Sequence, residues 1–174
     1  MRVPYKPVYF QKSYKKFNYI IVHDYTCQFS KFDKARVDSK KITVNDIRSY
    51  NWLFNDEFDL PFHFVCKKFS DDFETILSRP LSYYCEYSDI PSQYLNSVHI
   101  AIAGKFDFIT PEARAYQQMG YRSIASIMRW FAIPVSNILM HWEVSKEKDL
   151  HCPGLSFDKD KLLSLIKPLI LVKR

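Results

Sequence analysis

Short apolar runs alternate along this chain with stretches of helical period, and that alternation constrains the fold more than any other feature. NYIIVH (Asn18–His23) is a β-branched run of the kind that forms a buried strand. LPFHFVC (Leu60–Cys66) reads as a strand entered through Pro61, and VHIAIA (Val98–Ala103) as a partly alternating strand that ends at Gly104. NILM (Asn137–Met140) is a shorter one leading into His141. Helical signals lie between them. Thr43 with Asp46 makes a variant capping box, followed by Val44, Ile47, Tyr50 and Phe54 near helical spacing. Thr110 is a good N-cap, Pro111 suits the first helical position and Glu112 complements the helix dipole. Ala113, Tyr116, Gly120, Ile124, Ile127 and Phe131 then form one apolar stripe to about Ala132, and Pro134 stops the helix. Phe157–Leu171 predicts a terminal helix whose end Pro168 breaks or kinks. Strands alternating with helices predict an α/β or mixed α+β domain.

Composition sets the scale. The 174 residues, 47% hydrophobic and 17% aromatic, suffice for one domain with a real core and exclude intrinsic disorder. With no internal repeat and no linker, the chain divides into a basic, aromatic arm over 1–16 and one domain over 17–174. Only three Gly occur, and no GxGxxG or GxxxxGK[ST] loop, so dinucleotide and P-loop chemistry drop out. The net charge of +6 suits a polyanion such as nucleic acid, a membrane face or a cell wall, or is simply a basic surface. No aromatic strand motif flanked by basic residues is present, so nucleic acid is not an expected partner. The opening MRVPYKPVYFQKSYKKF lacks the ~7–15-residue apolar stretch of a signal peptide. No run approaches the ~18 apolar residues of a transmembrane segment. A cytoplasmic location is expected, with release to the cell wall by another route the alternative. Cys27, Cys66, Cys85 and Cys152 read as thiols or metal ligands rather than a disulfide framework.

Two of the five histidines share a setting: His23 ends one strand and His141 follows another. Side chains at strand ends are well placed to converge on one ion. Cys152 lies eleven residues beyond His141, just before the turn pair Pro153-Gly154. Two imidazoles and a thiolate, with a fourth position open to water, form a known catalytic zinc set. The alternative is an ordinary core or surface residue at each place, and spacing alone does not decide, since no CxxC or HExxH is present. Cys66 and Cys85 have no His at motif spacing and are expected to be buried thiols.

These segments resemble, in order, the zinc-dependent N-acetylmuramoyl-L-alanine amidases of the type 2 amidase and peptidoglycan-recognition-protein superfamily. IIVHDYTC resembles the family's first strand with its metal-binding His, ITVNDIRSYNWLF the helix before the central hairpin, LPFHFVC the YHF strand and FETILSRPL the hairpin continuing from it. NSVHIAIAGKFD is similar to the strand before the long helix, TPEARAYQQM to that helix, IPVSNILMHWEVS to the element carrying a second ligand, and HCPGLSFD to the end carrying the third. The resemblance spans about residues 17–168. It implies a central mixed β-sheet flanked by helices, a zinc groove at the sheet edge, and Zn2+ held by His23, His141 and Cys152. It implies hydrolysis of the amide between N-acetylmuramic acid and L-alanine, with peptidoglycan or muropeptide fragments as partners.

The same resemblance marks departures. Phe62 stands where phage-type members carry a Tyr, Ala101 where another subgroup carries a Glu, and Leu150 where a Lys or Thr is common. Positioned acid–base groups contribute typically ~10²–10⁴ in rate. His151 and His63 are the residues that could substitute as catalytic groups. The alternatives are an exposed turn residue for His151 and a supporting or core residue for His63. Glu143 in HWEV matches a family Glu and reads as a scaffold support. His99 replaces a small residue of its strand. Two functions follow: an amidase with atypical assisting residues, and a catalytically weak, zinc-holding muropeptide binder.

Overall fold

The structure is a computed structural model that describes residues 16–24, 62–69, 72–82, 84–85, 87, 89–104, 106–147 and 151–171. The expected helix from Thr43, residues Leu60 and Pro61, Leu150 and the arm up to residue 15 lie outside the described residues.

Among the described residues, five strands form one mixed sheet: β1 (Tyr19–Asp24), β2 (Phe64–Phe69), β3 (Asp72–Leu77), β4 (Ser97–Ile102) and β5 (Ile138–Met140), in the order β3-β2-β4-β1-β5. β1 lies parallel to both β4 and β5, β2 lies parallel to β4, and the β2–β3 hairpin is antiparallel. The α/β expectation and the sheet flanked by helices hold. Strand β2 starts later than the apolar run LPFHFVC and extends to Phe69, because pairing with β3 carries the ladder through Lys67 and Lys68. Hydrophobicity alone ends the strand at Cys66; the hairpin partner continues it.

Helix α1 (Pro111–Phe131) matches its sequence signals closely. Thr110 is extended and its side chain accepts the Ala113 N–H at 3.0 Å. The helix packs on the sheet face that carries Ile20, Val22, Phe64, Ile100 and Ile102, all buried. A fully buried Ile or Phe of this kind contributes roughly 1.5–3 kcal/mol. Contact is close because Gly120 has no Cβ; one built there would stand 2.3 Å from Ile102 Cδ1. A four-residue helix, α2 (His141–Val144), follows β5 directly. The terminal helix α3 (Lys159–Leu171) begins two residues later than expected and runs through Pro168 instead of breaking there. So near the helix end, the proline removes one backbone hydrogen bond from the last turn. Among the described residues no helix is long and apolar enough to cross a membrane.

The opposite face of the sheet has different chemistry. Strand side chains alternate between faces, so Ile21 and His23 share one side of β1. His99 pairs with Ile21, and Ala101 with both His23 and Val65. His63 stands two residues before Val65. His23 and His99 from neighbouring strands, and His63 just before β2, therefore approach one another on this face, and all three are buried.

Candidate metal centre

Parallel pairing is what brings the first two candidate ligands together. β1 and β5 run in the same direction, with Val22 opposite Met140. One step further along both strands are His23 and His141, at the carboxyl ends of parallel strands, the usual place for a site in an open sheet. Their ring centroids are 4.5 Å apart. His141 sits at the start of α2, which Glu143 anchors by accepting the Met140 N–H at 2.7 Å. Glu143 also receives Lys159 Nζ at 2.5 and 2.6 Å. This matches the scaffold role read from the sequence.

Cys152 arrives from a loop tied down at several points. Its backbone carbonyl accepts the Trp142 N–H at 3.1 Å, and its Sγ accepts the Asp24 N–H at 3.3 Å. Gly154 adopts φ +127°, and a Cβ there would lie 2.6 Å from the carbonyl carbon of Phe106. The Pro-Gly turn thus lets the loop press against the segment after β4, where Ser156 N–H donates to Phe106 O at 2.6 Å.

One donor atom from each of His23, His141 and Cys152 lies within 4.8 Å of the others, and all three side chains are buried. Cys152 Sγ is 3.9 Å from His23 Nδ1. A tetrahedral zinc with bonds of ~2.0–2.3 Å needs donors about 3.3–3.6 Å apart, so the group closes on one ion by shifts of about an ångström or less. The donor set and its spacing therefore fit the metal that the sequence resemblance implies.

The surroundings contain residues to which the sequence reading gave no role in the site. Asp89 Oδ2 stands 2.8 Å from His141 Nε2 and accepts the Ser145 hydroxyl at 2.5 Å. Burial raises the Asp89 pKa, but the bonds from His141 and Ser145 outweigh it and hold the carboxyl below its ordinary value. A carboxylate on the outer nitrogen of a ligand His orients the ring and raises its basicity. His23 Nε2 lies 2.9 Å from His99 Nδ1. Tyr87 stacks on His23 and His99, with centroids 4.9 and 5.0 Å apart and planes within 13° and 9°. Burial first, then the proximity of His63, His141 and Arg79, holds the His99 pKa well below the ordinary imidazole value. Tyr87 and Asp89 belong to an irregular segment with no periodic pattern. His99 had a visible signal, a polar residue inside the apolar strand VHIAIA.

The two candidate catalytic residues occupy different places. His151 is exposed beside Cys152. His63 is fully buried behind His99: its Nδ1 accepts the His99 backbone N–H at 3.1 Å and lies 3.3 Å from Cys85 Sγ. Cys66 and Cys85 are buried, as expected. Phe62 is also buried, its ring 5.4 Å from that of His23.

No family model matches the sequence, and no curated protein does. Solved structures do match. The catalytic domain of XlyA is 17% identical, with a TM-score of 0.59 and 88% of each chain covered. Drosophila PGRP-LB is 20% identical, with a TM-score of 0.53 over 84% of this chain and 82% of that one. The N-acetylmuramyl-L-alanine amidase AmiD from E. coli, in complex with the substrate anhydro-N-acetylmuramic acid-L-Ala-D-gamma-Glu-L-Lys, is 12% identical, with a TM-score of 0.53 over 89% of this chain and 59% of that one. At such identities the likeness shows the fold alone: this chain shares its fold with the catalytic domain of XlyA, with PGRP-LB and with AmiD.

Proposed function

We propose that the chain is a zinc-dependent amidase acting on the N-acetylmuramoyl–L-alanine bond of peptidoglycan fragments, with assisting residues unlike those its motifs would predict. The observation that carries this reading is the convergence of His23, His141 and Cys152 donor atoms within 4.8 Å at the carboxyl ends of β1 and β5. These three residues would hold the ion. When bound, zinc supplies Lewis acidity that polarises an amide carbonyl and makes an attacking water more acidic. The chain's own residues supply the rest. Asp89 orients His141 through Nε2. The Asp24 N–H donates to Cys152 Sγ and helps to fix the position of the sulfur. His151, exposed beside Cys152, is the candidate proton carrier. His63 is enclosed by His99 and Cys85, so we assign it to support of the site rather than to substrate.

The buried apolar Phe62 and Ala101 favour a second reading, a zinc-holding muropeptide binder with little turnover. One experiment separates the two. Purified protein is incubated with zinc and defined muropeptides, and released stem peptide is followed by mass spectrometry. The amidase reading expects free stem peptide that disappears with a chelator. Saturable muropeptide binding without release would replace it with the binder.

A further inference from the structure

We propose that His99 is a positioning residue: its Nδ1 accepts the Nε2 proton of His23 and so holds the His23 ring with an unprotonated Nδ1 facing Cys152. The consequence for zinc rests on the function proposed above; the geometry stands apart from it. Two nitrogens 2.9 Å apart share one proton, so one ring donates and the other accepts. If His99 donated, the proton of neutral His23 would sit on Nδ1, aimed at a sulfur 3.9 Å away. That is a long contact to a weak acceptor, which the Asp24 N–H already engages at 3.3 Å. If His23 donates, its proton enters a good bond and the Nδ1 lone pair faces Cys152. Only this second arrangement leaves Nδ1 able to bind a cation.

His99 itself has little freedom. Its strand position opposite Ile21 puts it on the same face as His23. Its backbone N–H is engaged by His63 Nδ1, and Tyr87 lies flat against both rings. A backbone N–H can only donate, so His63 Nδ1 accepts, and in the neutral ring the His63 proton stays on Nε2. The pair is thus braced from behind and covered by one aromatic ring. Loss of such an outer partner typically costs 10–100-fold in metal affinity.

The test uses the full chain with two readouts. Long-range 1H–15N NMR of the zinc-free protein reports the His23 tautomer, and competition with a chromophoric chelator reports zinc affinity. Wild type is expected to show His23 protonated at Nε2. His99→Leu should lose that preference and bind zinc about 10–100-fold more weakly. His99→Asn, whose side-chain oxygen sits near the place of Nδ1, should recover most of the affinity. His23 protonated at Nδ1 in the wild type overturns the proposal. So does equal zinc affinity in wild type and His99→Leu, or an Asn variant as weak as the Leu variant. If His99→Leu does not fold, the wild-type tautomer and the Asn variant decide. A wild type that binds no zinc, yet shows His23 protonated at Nε2, refutes the metal reading while supporting the positioning role.

Discussion

Replacing Gly154 by alanine perturbs the site at its most constrained backbone position. The φ of +127° is one an L-residue adopts only under strain, costing roughly 1–3 kcal/mol. The added Cβ would also stand 2.6 Å from Phe106 C and 2.8 Å from Phe106 O, both backbone atoms. Neither is the end of a flexible side chain, so the loop must move by several tenths of an ångström. That movement loosens two backbone bonds, Ser156 N–H to Phe106 O and Phe157 N–H to Gly154 O, each worth about 0.5–1.5 kcal/mol. The loss is therefore about 2–4 kcal/mol, or roughly 4–16 °C in the Tm of a domain this size. The assay is thermal unfolding of the metal-free protein by circular dichroism, followed by chelator competition for zinc. Both should fall, because the displaced loop carries Cys152. A Tm within about 2 °C of wild type, with unchanged zinc affinity, would refute the account of Gly154 as the residue that seats the ligand loop.

Three further outcomes are expected. Cys152→Ala should lose zinc while His151→Ala keeps zinc and loses hydrolysis, measured by metal analysis and stem-peptide release; reversed metal contents would make His151 the ligand. Phe62→Tyr should raise amidase rate tenfold or more if a hydroxyl beside His23 supplies the missing proton donor, and no gain in a folded, zinc-loaded variant would mean another group fills that role. Burial pushes the Cys66 thiol up to about 11 against the hydrogen bonds from Ser123 and Thr75, so folded protein should resist iodoacetamide at Cys66 at pH 8. The raised value also signs a pH effect: stability carried by the neutral thiol is complete below the unfolded value near 9 and is lost as pH rises towards 11, and Cys66→Ala should remove that part of the alkaline loss in a urea titration.

What the sequence determined by itself was local. Strand and helix character follow from periods of two and 3.6 residues, and a cap such as Thr110 acts within one turn, so β1, β4, β5 and α1 were legible with nearly their observed ends. His23, His141 and Cys152 were named from ordered motifs that resemble a known family, and the fold brings one donor atom of each within 4.8 Å of the others. Tertiary structure decided the rest, since those contacts join residues that no local period relates. His23 meets His99 across 76 residues of sequence only because β1 and β4 pair in the register that sets Ile21 beside His99. Strand β2 outlasts its apolar run because β3 supplies hydrogen-bond partners for Lys67 and Lys68. Tyr87 and Asp89 reach the site from an irregular segment, where side-chain placement depends on packing against the finished sheet. The buried position of His63 has the same origin: its residue type suggested chemistry, while the register of β2 against β4 set it behind His99.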